Sequence, residues 1–458
     1  MPGTGNTMSD LAVKLLAELS RESAPGRYVV ALSGGLDSTV LLHALASLRD
    51  ADSLHAELAA VHINHQLSDM AMEWQAFCAE ICQQWQVPLT TREVVVSADG
   101  SLEAAARAAR YDAFCDLVKS GDSLLLAHHL DDQIETSLYR LLRGAGPQGL
   151  SGIPRMRGLG DATLWRPLLE FTRAELRSYA LAKGLQWKED ESNQDERHDR
   201  NFLRHHVFPV LEGRWPDYRA SWLKSLNLMV ESNALQRDLA DQDLVSLLSP
   251  RGGLLMVHLE QLNPARQRNV IRRWAKRLGL QALGWRITHQ LVDEFLSASE
   301  SGPSFDITDC LLYRHDGELF AVRKGVSDAP DPITFTASDR SVEMRPGNGA
   351  LLLSSLSGNG ISKRLQHFAV RYRIGGETLK LPGRPTKSLK DLLHESGVPP
   401  WQRQRVPLIY AEAELVCVPG IGVAESHQAE PGDSGLHIQW QAPTQVITLE
   451  RPLESGAE

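Results

Sequence analysis

The 458-residue chain has no apolar run approaching the roughly 18 residues that span a bilayer, which excludes a transmembrane helix. Its opening, Met1 to Asp10, carries neither a basic n-region nor an apolar h-region, so no secretory signal is expected. Cysteine is scarce. Cys78, Cys82, Cys115, Cys310 and Cys417 are odd in number and scattered, which excludes a disulfide framework and fits a reducing interior. The expected compartment is the cytoplasm, with no membrane partner. Internal repeats and low-complexity blocks are also lacking.

Positive charge is not in excess: 48 Lys+Arg against 57 Asp+Glu leave a net charge of −9. The total conceals two basic islands. Arg266, Arg268, Arg272, Arg273, Lys276, Arg277 and Arg286 lie in a stretch without an acid. Between Ile361 and Arg405, Lys363, Arg364, Arg371, Arg373, Lys380, Arg384, Lys387, Lys390, Arg403 and Arg405 face only Glu377, Asp391 and Glu395. Each island could neutralise several phosphates, and each reads equally well as a solvated face. With 42% hydrophobic and 23% charged residues, the composition is globular and long enough for about two to four domains.

Short apolar runs alternate with longer amphipathic ones over the first two hundred residues. Strands are expected at Tyr28–Leu32, Leu58–Ile63, Val94–Val96 and Leu124–Ala127, with helices from Leu36, over Met70–Trp85 and Leu102–Val118, and from Asp131 to Leu142. Thr172-Arg-Ala-Glu175 has the form of a capping box. This alternation gives an α/β fold with a parallel, Rossmann-like sheet, and places ligands at the carboxyl ends of its strands. The expected domains are an α/β domain over 1–215, a mainly helical basic domain over 216–325 turning strand-like from Phe305 to Val322, a linker and domain start over 326–360, and a small α+β domain over 361–445.

The sharpest motif is Ser33-Gly34-Gly35-Leu36-Asp37-Ser38-Thr39, between the first strand and its helix. Two glycines let the backbone present N–H groups as a concave anion site, and the following helix N-terminus favours a phosphate. Ser33, Ser38 and Thr39 supply hydroxyls, and Asp37 could hold Mg²⁺ on pyrophosphate oxygens. No Lys is present, so this is not the loop whose lysine reaches the β and γ phosphates.

Further clusters follow the other strands. His62-Ile-Asn-His65-Gln-Leu67 follows the second, and His128-His129-Leu-Asp131-Asp132-Gln-Ile-Glu135-Thr136 the fourth, with Asp132 and Glu135 facing the same way at a helix start. Alone, these also read as a metal-hydrolase site, which leaves the phosphate loop unexplained. Arg107 and Arg110 lie in the run Glu103 to Tyr111. Gly144-Ala-Gly146-Pro-Gln-Gly149 follows a helix, so it is not a dinucleotide fingerprint; a mobile loop closing over a nucleotide and a helix-ending turn both remain open. After Asp190-Glu-Ser-Asn193, Arg200 and Arg204 are four apart, suited to phosphate or carboxylate.

The Ser33–Thr39 heptad resembles the PP-loop ATP pyrophosphatases, which cleave ATP between the α and β phosphates. In order, the motifs SGGLDST, HINHQL, ARAARY, HHLDDQIET, RGAGPQGLSGI, RPLL, DESN and DRNFLR resemble the tRNA(Ile)-lysidine synthase family over about Tyr28 to Trp215. Weaker matches at Lys380–Arg384, Leu389–Glu395 and Val398–Trp401 resemble the accessory domains of its long form. One departure is Ser68, where many members carry Arg.

The resemblance implies that ATP adenylates O2 of the wobble cytidine in the CAU-anticodon isoleucine tRNA, releasing pyrophosphate. Free L-lysine then displaces AMP at C2. It implies ATP as substrate with Mg²⁺ at Asp37. Asp132 and Glu135 would bind the lysine ammonium, and Arg107 or Arg110 with His128 or His129 would face the phosphates and the adenylate. The nucleotide set would comprise Ser33, Gly34, Gly35, Leu36, Asp37, Ser38, Thr39, His62, Arg107, Gly146 and Gly149. The tRNA contacts would be Arg200, Arg204, Arg266, Arg272, Arg273, Lys387 and Lys390. Cys78 and Cys82, spaced C-x3-C on a helix, are expected to pack rather than to carry sulfur. A tRNA thiolase or an amide synthetase is the alternative within the superfamily. Oligomeric state, a dimer included, is left open.

Overall fold

Alternate side chains of a strand point to opposite faces, and the strands of the N-terminal region divide along that line. In the computed structural model, Tyr28, Val30 and Leu32 join one apolar cluster, while Val29 joins another across the sheet. Leu125 and Leu124 divide in the same way. A strand buried on both faces reads as a continuous apolar run, which is why these were visible in the sequence. The structure describes residues 9–64, 70–94, 102–189, 199–297, 304–324, 333–344 and 346–449.

The first unit, Met1–Leu235, contains α1 (Asp10–Leu19), β1 (Arg27–Ala31), α2 (Leu36–Asp50), β2 (Glu57–Asn64), α3 (Ala71–Gln84), β3 (Leu89–Glu93), α4 (Leu102–Leu117), β4 (Asp122–Leu125) and α5 (Leu130–Leu142). Then come α6 (Pro147–Leu150), β5 (Met156–Leu159), β6 (Ala162–Trp165), α7 (Arg173–Ala182), α8 (Asp199–Phe202), a π-helical turn over Leu203–Val207, α9 (Phe208–Arg214) and the start of α10 (Tyr218–Leu247). The sheet runs β3-β2-β1-β4-β6-β5, parallel except for β5. The chain leaves β1 toward β2 on one side and returns to β4 on the other, so a crevice is expected at the carboxyl ends of β1 and β4. The third strand is Leu89–Glu93 rather than Val94–Val96. Val94 still donates its N–H to Asn64 O at 3.0 Å, whereas Val95 and Val96 lie outside the described residues. The first 18 residues of α10 belong to this unit, and Tyr218, Trp222 and Leu223 pack with Leu130, Ile134 and Phe208.

The second unit, Gln236–Glu458, contains only antiparallel sheets among the described residues; its middle region is mainly helical up to Phe295 and turns to strand from Phe305, as expected, and the part beyond is mostly antiparallel sheet. In the middle region β7 (Leu254–Leu255), β8 (Phe305–Ile307), β9 (Cys310–His315) and β10 (Glu318–Arg323) form a four-stranded sheet in the order β7-β10-β9-β8. α11 (Met256–Leu259), α12 (Pro264–Arg277), α13 (Trp285–Gln290) and a π-helical turn over Leu291–Phe295 complete that part. Beyond it lie a five-stranded and a four-stranded antiparallel sheet with one short helix, Leu389–Glu395. The strand Ala350–Ser357 pairs with Ser434–Gln441 over its whole length.

Candidate active site

The phosphate loop folds on its own hydroxyls. Gly34 takes φ +84°, a left-handed conformation that a side chain resists, and a Cβ there would come within 3.1 Å of Cys78 Sγ. Ser38 Oγ accepts from the Ser33 main-chain N–H at 3.2 Å and lies 3.0 Å from Ser33 Oγ. Gly35 is the N-cap of α2, with no side chain to satisfy the first amides, so the helix start stays available to an anion. Leu36, Ser38 and Thr39 are buried, and among the described residues neither Thr39 Oγ1 nor Asp37 Oδ1 has a hydrogen-bond partner. Beneath the loop, His62 Nδ1 lies 2.8 Å from the Leu32 carbonyl and 3.5 Å from Cys78 Sγ. Burial lowers the His62 pKa and keeps its ring neutral.

His129, at the N-cap of α5, joins this loop to the second motif. Its main-chain N–H donates to Asp132 Oδ2 at 3.0 Å, and its Nδ1 accepts from the Asp132 N–H at 3.4 Å, closing a capping box. Its Nε2 lies 3.6 Å from an oxygen of both Asp37 and Asp132. Two motifs far apart in sequence thus meet where β1 and β4 end. Burial, with the nearby Asp132 charge, raises the Asp37 pKa, opposed by His129, Arg173 and Arg204. Glu135 is buried and clasped by Arg204, with Nε–Oε1 at 2.7 Å and Nη2–Oε2 at 2.8 Å; burial still raises its pKa against that pull. Burial pushes the half-buried His128 down to about 4, so its ring is neutral near pH 7. A cavity of about 260 Å³ lies beside Asp131, Glu135, Arg173 and Arg204.

A PP-loop domain family matches residues 8–211, a TilS substrate binding domain residues 254–320, and a TilS substrate C-terminal domain residues 368–440. The chain is 37% identical over 436 residues to the tRNA(Ile)-lysidine synthase of Coxiella burnetii, covering 94% of this chain and 96% of that one. It is 38% identical to the tRNA(Ile)-lysidine synthase of Pseudomonas fluorescens (95% and 98% covered), and 36% identical to that of Escherichia coli O157:H7 (92% and 98%). The chain belongs to the tRNA(Ile)-lysidine synthase family.

Within this lysidine synthase family member, the other sequence-derived residues fall into three groups. Arg107 and Arg110 are exposed on α4, and Arg107 Nη2 lies 3.5 Å from the Tyr111 hydroxyl. The glycine-rich segment is tied to α5. Arg140 donates to the carbonyls of Gly149 and Gly152 at 3.0 and 2.7 Å, while Gln133 and Ile153 exchange two hydrogen bonds. Gly146 caps α6. Of the two readings left open by the sequence, a closing loop and a helix-ending turn, the second describes the conformation seen, in which these hydrogen bonds hold the segment on α5. The sequence signal was Gln133 itself, a buried amide inside HHLDDQIET.

Several expected tRNA contacts prove to be paired. Arg266 clasps Asp243 through Nε and Nη2, and Arg273 clasps Asp241 at 2.8 and 2.6 Å. Lys387 pairs with Glu395 at 2.6 Å, and Arg204 is held by Glu135. All four thus have a carboxylate partner in this structure. Arg272, whose Nη2 donates to Thr288 Oγ1, pairs with no carboxylate among the described residues, and Arg200 and Lys390 are exposed. Arg200 and Arg204 do not share a regular α-helical face, because α8 gives way to a π turn at Leu203. His65 to Ser68 and Asp190 to Asn193 lie outside the described residues. No group of three His, Cys, Asp or Glu suited to a metal occurs among the described residues. None of their helices is long and apolar enough to cross a membrane.

Proposed function

We propose that this protein joins free lysine to C2 of the wobble cytidine of the CAU-anticodon isoleucine tRNA, using ATP and giving lysidine, AMP and pyrophosphate. Family membership over nearly the full length supports the reaction. The observation that carries the site is His129, whose one ring nitrogen lies 3.6 Å from both the loop carboxylate Asp37 and the α5 carboxylate Asp132. On this reading the groups for phosphate chemistry and for amine chemistry are neighbours across one imidazole.

The amides of Ser33 to Thr39 and the start of α2 would hold the departing pyrophosphate, with Gly34 and Gly35 allowing close approach. Asp37 suits a divalent cation carried in on phosphate oxygens: Oδ1 is free of protein partners, and Mg²⁺ is commonly held by one or two carboxylates plus phosphates. Such an ion supplies charge neutralisation on the leaving group. The carbonyl oxygen of a pyrimidine leaves poorly; as an AMP ester it leaves well. Lysine's amine, with a pKa of about 10.4, must lose a proton before attacking. Both Glu135 oxygens already accept from Arg204, whereas Asp132 Oδ1 lies 3.9 Å from that guanidinium, so Asp132 is the carboxylate with room to take the ammonium proton. Glu135 then fixes Arg204 and adds negative field. Neutral His128 acts through a hydrogen bond rather than as a fixed cation, leaving phosphate charge to Arg107 and Arg110. Arg200, Arg272 and Lys390 are the remaining candidates for RNA phosphates.

The sulfur-transfer alternative lacks a nucleophile in Cys78 and Cys82, which lie in the core with thiols pushed up to about 12 by burial. Mass analysis of the wobble nucleoside after incubation with ATP and lysine tests the proposal. Lysidine is expected; an unmodified or thiolated cytidine would refute it.

A further inference from the structure

Arg166 follows β6 and is 2% exposed, yet no carboxylate pairs with it among the described residues. Its Nη1 donates to the Pro154 carbonyl at 2.7 Å, and its Nε–H has no acceptor there. The Tyr111 hydroxyl is close enough to favour its charge. Two more guanidiniums converge on the same tyrosine: Arg157 Cζ lies 4.4 Å and Arg107 Cζ 5.3 Å from the ring centroid. Neither pairs with a carboxylate among the described residues. Burial and the charges of Arg157 and Arg107 hold the Arg166 pKa below its ordinary value.

Three like charges gathered on one phenol, one of them buried, are costly unless an anion joins them. The cluster also borders the candidate site. Trp165 of β6 is in register with Leu125 of β4, which leads within three residues to His128, and both Arg166 and Arg107 help to depress the His128 pKa. In contrast, the arginines at Asp241, Asp243 and Glu135 are each neutralised by a carboxylate.

We infer that Arg107, Arg157 and Arg166, gathered on Tyr111, form a phosphate-binding site. The inference rests on the function proposed above, which offers two sources of phosphate: the nucleotide and the RNA backbone. A guanidinium fork donates paired hydrogen bonds to either, and the Tyr111 ring lies under two of the forks.

The test measures equilibrium binding of ATP and of fluorescently labelled isoleucine tRNA to the full chain carrying Arg157→Ala, Arg157→Lys, Arg166→Lys or Arg166→Met, alongside turnover and thermal midpoint. Arg157→Ala is exposed and expected to fold normally, so it decides the matter even if Arg166→Met unfolds. The expected result is a Kd raised roughly tenfold or more for one ligand, partly restored in Arg157→Lys. A nucleotide source moves the ATP Kd alone. An RNA source moves the tRNA Kd and lowers its salt slope by about one phosphate. Both Kd values within twofold of the parent in a folded Arg157→Ala protein would overturn the site. Because binding is read without turnover, a parent enzyme that makes no lysidine would refute the proposed function and still leave the phosphate site decided.

Discussion

Arg204 and Glu135 form a two-pronged ion pair across 69 residues of sequence, with N···O distances of 2.7 and 2.8 Å around a carboxylate that is almost fully buried. The pair seats the π turn against α5, directly behind Asp132. Removing one partner of a buried pair strands the other charge, at a cost of about 3–5 kcal/mol. Arg204→Met is therefore expected to lose stability in that range by urea denaturation, while Glu135→Gln with Arg204→Met recovers part of it. An unchanged midpoint for Arg204→Met would show that the pair carries no structural weight.

His128 gives a pH signature. Its folded pKa, about 4, lies below the ordinary 6.5, so the unfolded chain takes up the proton first as pH falls. The associated stability is full above pH 6.5 and is lost as pH drops toward 4. His128→Asn should flatten the acid side of the stability profile in that window. A profile unchanged by the substitution would mean that the ring is solvated.

Salt dependence should separate the arginines of the middle region. Arg266 and Arg273 are held by Asp243 and Asp241, so their alanine variants should leave the slope of tRNA affinity against salt unchanged. Arg272→Ala should lower it by roughly 0.7–0.9, the share of one phosphate. Equal effects from all three would mean that the ion pairs open on RNA binding.

Gly34 is held at φ +84° with Cys78 Sγ 3.1 Å from a would-be Cβ. Gly34→Ala is expected to cost about 1–2 kcal/mol from the backbone alone and to raise the KM for ATP. Normal ATP kinetics would mean that the loop tolerates reshaping and does not grip phosphate through these amides.

The parallel sheet was legible because β1, β2 and β4 are buried on both faces and read as apolar runs. β3 was not: Leu89–Glu93 is an edge strand with four exposed residues, so its polar Thr-Thr-Arg-Glu gave no signal and the neighbouring valines attracted the assignment. In the middle region β8, β9 and nearly all of β10 fall inside the strand-like stretch Phe305–Val322, and only β7, with two residues, was too short for a period to register. Residue types at the site were visible in the motifs, but their pairing was not. The acids that neutralise Arg266 and Arg273 sit 23 and 32 residues earlier on α10, beyond any local charge count. Arg166 passed as part of an apolar RPLL run, and only its burial without an acid made it stand out.

The central claim, that Ser33–Thr39 presents ATP for attack by an RNA base, is tested most directly by pyrophosphate–ATP exchange with and without isoleucine tRNA, in the absence of lysine. The account predicts exchange that requires the tRNA, is abolished in Asp37→Asn, and gives way to lysidine when lysine is added. Exchange that proceeds equally without RNA, or survives in Asp37→Asn, would contradict it.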